Sequence, residues 1–231
     1  MTDTELPIEI QKFSLVKGGP VYRLFCRSGL CNDDLEPPFR RPLVLALLVW
    51  LPLLLLTILG GRFNSGVDIP FLSDIENHVR FLVALPLLLA GETFIQRLLS
   101  PRIRNFVTRK IIREADMPKF RAAIDSAQRK RDSVAIELIM LVSVVAAGPW
   151  FYGDVMASAS AQAATWYATP DGASWNLTIA GYWMVFISLP LFQFFLLRWY
   201  FRIVIWFVFL LRVSRLDLNL YATHTLSLIH I

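Results

Sequence analysis

With 231 residues, 55% of them hydrophobic and 18% charged, the chain has too little charge and too many long apolar runs for an ordinary soluble domain. Its net charge of +5 points to a basic surface facing anionic lipid headgroups rather than to nucleic acid. Two cysteines with no further Cys or His beside them exclude a cysteine-based metal centre, and no cofactor is expected.

In chain order, residues 1–41 form a polar segment without a signal-peptide run, so the first membrane helix is expected to act as the targeting signal. Cys26 and Cys31 lie there and are read as ordinary thiols. Between the turn-rich Gly18-Gly19-Pro20 and the acidic, proline-rich stretch Asp33–Pro38, Val21, Tyr22, Leu24, Phe25 and Leu30 predict a short amphipathic helix at the membrane surface.

Four long apolar runs follow, at 42–61, 81–96, 134–153 and 177–197. Each approaches or reaches the roughly 20 residues that cross a hydrocarbon core at about 1.5 Å per residue. The second crossing (about 77–97) opens on Ser73 and Glu76, a capping box with Asp74 in the first turn. That reading accounts for Asp74 and Glu76 more simply than a metal site with His78.

The segment 98–133 reads as a basic helical hairpin on the cytoplasmic side. Ser100 caps its first helix and Pro101 fills the first turn. Ile103, Phe106, Val107 and Ile111 share a face, and Met117-Pro118 ends the helix. A second helix is predicted from about Lys119 to Asp132. Arg102, Arg104, Arg109, Lys110 and Arg113 are the candidate lipid-facing basic residues.

The loop 154–176 is small and polar, with Trp166, Tyr167 and Trp175 suited to an interfacial belt. Asn176-Leu177-Thr178 matches a glycosylation sequon but abuts the membrane. The fourth run resumes at Ile203 and continues to Val213. One helix over 177–214 would be about 57 Å long, beyond a core of about 30 Å, so 203–214 is expected to extend into the cytoplasm or bend along the surface.

Lys and Arg set the orientation. Residues 1–41 hold six, 62–80 two, 97–133 eleven, 154–176 none, and four follow the fourth run. This places the N-terminus, the basic segment and the C-terminal end in the cytoplasm. The expected fold is all-α: a membrane domain of four crossings over 42–214, flanked by the polar segment 1–41 and a tail, 215–231.

Charged groups inside apolar runs are the candidate functional residues, because a lone charge in hydrocarbon costs about 2.5–3.5 kcal/mol and calls for a partner. Glu92, Gln96, Glu137, Arg198 and Arg202 are expected near one depth, as a polar layer just inside the cytoplasmic leaflet. Arg198 and Arg202 share a face from which both can snorkel. The layer reads as a structural ion pair or as an ion relay. Each crossing also contains one proline, three of them in Leu-Pro-Leu at 51–53, 85–87 and 189–191. Prolines kink helices for packing, or break them around a substrate. No phosphate-binding loop, metalloprotease helix or nucleophile elbow is present, so no enzyme is indicated.

Phe192-Gln-Phe-Phe-Leu-Leu-Arg-Trp-Tyr-Phe-Arg202 and Ser214-Arg-Leu-Asp-Leu-Asn-Leu-Tyr-Ala-Thr-His224 resemble an uncharacterised family of bacterial multi-pass membrane proteins. The basic stretch Pro118–Ser133 is similar too, and the likeness covers most of 20–224. The resemblance implies a bacterial inner-membrane protein and assigns no activity. In that family the matching His is followed by Pro-Asp-Arg-Ala-Gly-Gly-Leu-Gly-Phe and further membrane helices. Here Leu226-Ser-Leu-Ile-His-Ile231 looks instead like a translated sequencing adapter, so a longer natural chain is expected. The expected role is a transporter or channel component. The alternative is a scaffold or sensor whose basic loop binds anionic lipid or a cytoplasmic partner.

Overall fold

The computed structural model describes residues 14, 18–27, 40–159, 163–171 and 174–219. Leu30, Cys31, Asp33–Pro38, His224 and the terminal hexapeptide lie outside them. The described chain is mostly helical. Its elements are α1 (Pro20–Arg27), α2 (Arg40–Leu59), α3 (Ile75–His78), α4 (Leu85–Thr108), α5 (Met117–Arg131), α6 (Val134–Ala159), strands β1 (Ala168–Asp171) and β2 (Ser174–Leu177), α7 (Ile179–Trp183) and α8 (Leu189–Val213). Cys26, read from the sequence as a free thiol, is instead disulfide-bonded.

Three helical runs are long and apolar enough to cross a membrane: Pro42–Leu59, Ile75–Thr108 and Ile179–Val213. The third predicted crossing falls in α6, whose described apolar part, Val134–Gly148, is shorter. In α2 both faces are apolar. Val49 and Leu53 are buried, while Leu48, Leu55 and Leu59 are exposed. A helix apolar all round needs a non-aqueous neighbour for its outer face, as lipid provides.

The chain divides into two compact units, Pro20–Thr93 with Val134–Tyr200, and Met1–Gly19 with Phe94–Ser133 and Phe201–Ile231. In the first unit α2 packs against α7 and against two π-helical stretches, Val79–Ala84 and Met184–Ser188. These stretches have an identifiable cause. Each runs into Leu-Pro, at Pro86 and Pro190, and proline lacks an N–H and drives its ring into the carbonyl four residues back. Widening the preceding turn relieves that clash. Accordingly the N–H of Leu85 reaches back five residues to the Arg80 carbonyl, and that of Leu189 to Met184. Pro52, in the first Leu-Pro-Leu of the chain, stays inside regular α-helix.

The cap of the second run is Asp74 rather than Ser73. Ser73 ends a 3₁₀ turn, Phe71–Ser73, and the Asp74 carboxylate accepts from Asn77 N at 3.1 Å. Glu76 pairs with Arg80 instead of closing a capping box. Thr178 caps α7 in the same way, accepting from Gly181 N at 3.0 Å.

Part of the predicted outer loop folds as an antiparallel hairpin, with Ala168 opposite Leu177 and Asp171 opposite Ser174. Trp166, expected at the membrane interface, is fully buried. Gly181 receives this hairpin closely: a Cβ there would run into the carbonyl oxygen of Tyr167. Gly181→Ala is therefore expected to lower stability by about 1–3 kcal/mol, the usual cost of forced overpacking. Thermal unfolding in detergent checks this, and an unchanged midpoint would show that the hairpin does not rest on α7.

The second unit has its own apolar core. Ile103 and Val107 of α4, Phe120 and Ile124 of α5, and Ile205, Phe209 and Val213 of α8 pack together, with Phe120 and Phe209 rings 6.1 Å apart. One face of the stretch 203–214, with Ile205, Phe209 and Val213, is thus covered by the basic segment. Ser100 is not a cap, because α4 runs unbroken through Ser100-Pro101. Nor does Met117-Pro118 end that helix. It stops at Thr108, and Lys110 turns left-handed with φ of 52° ahead of the β-branched Ile111-Ile112. Pro118 sits in the first turn of α5. The Lys119 ammonium, bonded to Asp116 at 2.7 Å, holds that carboxyl below the usual carboxylate range, helped by the Asp217 backbone N–H.

Candidate functional site

In the first unit, three segments far apart in sequence deliver ionisable side chains to one place. Glu92 lies in α4, beyond the π-helical stretch Val79–Ala84. Glu137 stands in the first turn of α6, where the positive end of the helix favours a carboxylate. Arg198 lies in α8, beyond the matching stretch Met184–Ser188.

Arg198 joins them. Its Nε lies 3.3 Å from Glu137 Oε1 and its Nη1 lies 3.8 Å from Glu92 Oε1. The side chains of Arg198, Glu137 and Glu92 are 4%, 8% and 12% exposed. Of the two arrangements open to Arg198, snorkelling or an ion pair, the side chain takes the second and turns inward onto both carboxylates. A guanidinium suits the position, since its planar fork presents donors to two acids at once.

The remaining predicted polar residues fall as follows. Gln96 donates to Ser100 Oγ at 2.6 Å, one turn along α4. Arg202 is buried in the second unit, at 8% exposure. Of the basic residues, Arg102, Arg109, Lys110 and Arg113 are exposed and Arg104 is half-buried. Arg113 pairs with Asp217 at 3.5 Å, and Arg102 reaches the Leu98 carbonyl.

The acids near His78 serve the fold. Asp74 also accepts from Asn77 Nδ2 at 2.6 Å and from Trp166 Nε1 at 2.9 Å, and His78 Nδ1 accepts from Trp50 Nε1 at 3.0 Å. Among the described residues, no cluster of three or more His, Cys, Asp or Glu side chains is placed to hold a metal ion.

One feature of the site region was missed in the sequence. The second and fourth predicted crossings are built alike: a polar cap, a short α-helix, a π-helical stretch, then Leu-Pro-Leu. The signal was the equal spacing from Asp74 to Pro86 and from Thr178 to Pro190. No protein-family model, curated protein or solved structure matches this chain.

Proposed function

We propose that this chain is a bacterial inner-membrane protein with four crossings and a cytoplasmic N-terminus. It acts as a component of a transporter or channel, with Arg198, Glu92 and Glu137 handling a proton or cation. The observation that carries the reading is the Arg198 bridge between two carboxylates buried at the membrane helices. Ionisable groups at such places are costly, and relays for ions and protons are built from them. The proline-linked π-helical stretches in two of the crossings support it, since transporters place such breaks where helices carry substrate. The count of four rests on α6, the third crossing in chain order, extending past its apolar part.

Orientation follows the Lys and Arg counts, eleven in 97–133 against none in 154–176. The bonded state of Cys26 counts against a cytoplasmic N-terminus, because cytosolic thiols are kept reduced. The Lys and Arg distribution outweighs it, since it is consistent across five segments.

The test is proton and cation flux in proteoliposomes carrying the full chain. Glu92→Gln or Glu137→Gln is expected to lower flux by about tenfold or more, the scale of losing one positioned acid–base group. A second reading is favoured by the exposed Arg102, Arg109, Lys110 and Arg113 beside the packed core of the second unit. These residues would hold a scaffold or sensor to anionic lipid. Absent flux, together with binding to phosphatidylglycerol vesicles that weakens as salt rises, would replace transport by this reading.

A further inference from the structure

At the end of the first unit away from Arg198, two cavities share a wall. One, of about 370 Å³, is lined by Arg62, Thr169, Asn176 and Thr178. The other, of about 600 Å³, is a wholly apolar groove between α2 and the α7 region, lined by Pro52, Leu55, Tyr182, Phe186 and Ile187. Leu56, Leu59 and Ile179 belong to both. The groove opens where a bilayer would lie, since Leu59 is 83% and Ile179 76% exposed. A polar recess and a greasy channel joined in this way match a molecule with one polar and one apolar end.

The charge at the polar end selects its sign. Among the described residues, Arg62 is the only charged one lining that recess. It donates to the Thr165 carbonyl at 3.3 Å, and among the described residues no carboxylate lies within ion-pair reach of it. Arg80, the other cation of the 62–80 segment, is engaged by Glu76 and Asn77. A half-buried guanidinium beside hydroxyl and amide groups recognises a phosphate oxygen. A free phosphate would leave the groove empty, and a neutral lipid would leave the guanidinium unanswered.

We propose that these joined cavities hold one anionic phospholipid of the leaflet at that end. Its phosphate sits on Arg62 with Thr169 and Asn176, and an acyl chain lies along Pro52, Leu55 and Phe186. The site requires that α2 and the α7 region lie in a bilayer, and it stands whether or not the protein carries flux.

The purified full chain in detergent is titrated with phosphatidylglycerol, diacylglycerol and inorganic phosphate. Native mass spectrometry and the unfolding midpoint give the readout. Phosphatidylglycerol is expected to stay bound and raise the midpoint, with diacylglycerol at least about tenfold weaker and inorganic phosphate without effect. Arg62→Gln is expected to weaken the lipid by about tenfold, the scale of one charge-assisted contact, while Arg62→Lys keeps most of the binding. Leu55→Trp, which fills the groove and leaves Arg62 in place, is expected to weaken it as well. Three results would overturn the proposal: equal binding by Arg62→Gln, equal binding of diacylglycerol, or inorganic phosphate matching the lipid, which would make the recess a small-anion site.

Discussion

Replacing Arg198 with methionine is expected to destabilise its unit by about 3–5 kcal/mol, because two buried carboxylates lose the cation they share. The size comes from what is left behind more than from what is removed. An ion pair taken out of water roughly balances its attraction against lost hydration. A buried charge without its partner keeps the cost and loses the gain. The triple variant Arg198→Met, Glu92→Gln, Glu137→Gln removes all three charges and is expected to recover most of that loss. Arg198→Lys should fall between, since an ammonium lacks the fork that serves both acids. Reversible unfolding of the full chain in mixed micelles measures each. Arg198→Met within about 0.5 kcal/mol of the parent, the scatter of an ordinary surface change, would show that the three groups do not act together. The same series separates structure from transport. If Glu92→Gln and Glu137→Gln unfold like the parent yet carry less flux, the carboxylates have a role beyond holding helices.

The triad was partly legible because hydrocarbon makes every internal charge conspicuous. Glu92, Glu137 and Arg198 stand out of apolar runs, and their need for partners predicts proximity. The sequence carried no signal that Arg198 would sit closer to Glu137 than to Glu92. Helix positions were legible from length and apolarity, and α5 came within two residues of its predicted start. Boundaries set by single side chains were not. Ser73 and Asp74 are both good caps, and the choice fell to the 3₁₀ turn that Phe71 drives into the core. Ser100-Pro101 looks like a helix start, but proline costs one hydrogen bond there, while Ile103 and Val107 gain a core by continuing the helix. The hairpin escaped notice because Ala168–Asp171 and Ser174–Leu177 are four residues each, too short for the one alternating stretch, Ser-Trp-Asn-Leu, to stand out.

Trp166→Ala is expected to cost about 3–5 kcal/mol, the range for emptying a fully buried aromatic site. Trp166 is where the residues following α2 meet those preceding β1. Its ring stands edge-on to Phe71 at 5.0 Å and to Tyr167 at 5.1 Å, and Phe71 in turn contacts His78 and Trp50. Its backbone N–H donates to the Ile69 carbonyl at 3.0 Å, while Ile69 N donates to Ala164 at 3.1 Å. Its indole N–H donates to the carboxylate that caps α3. Truncation therefore opens a cavity, and it also takes a donor from Asp74. Trp166→Phe keeps most of the ring volume while removing the indole donor. It is expected to cost about 1–3 kcal/mol, the price of a charged acceptor left short of one hydrogen bond. Asp74→Asn, which keeps an acceptor for the cap, should cost less than Trp166→Ala. Unfolding free energies of the three variants in micelles test the order. If Trp166→Ala proved no worse than Trp166→Phe, the ring would not be packed, and Trp166 would belong at the lipid interface that its residue type suggests.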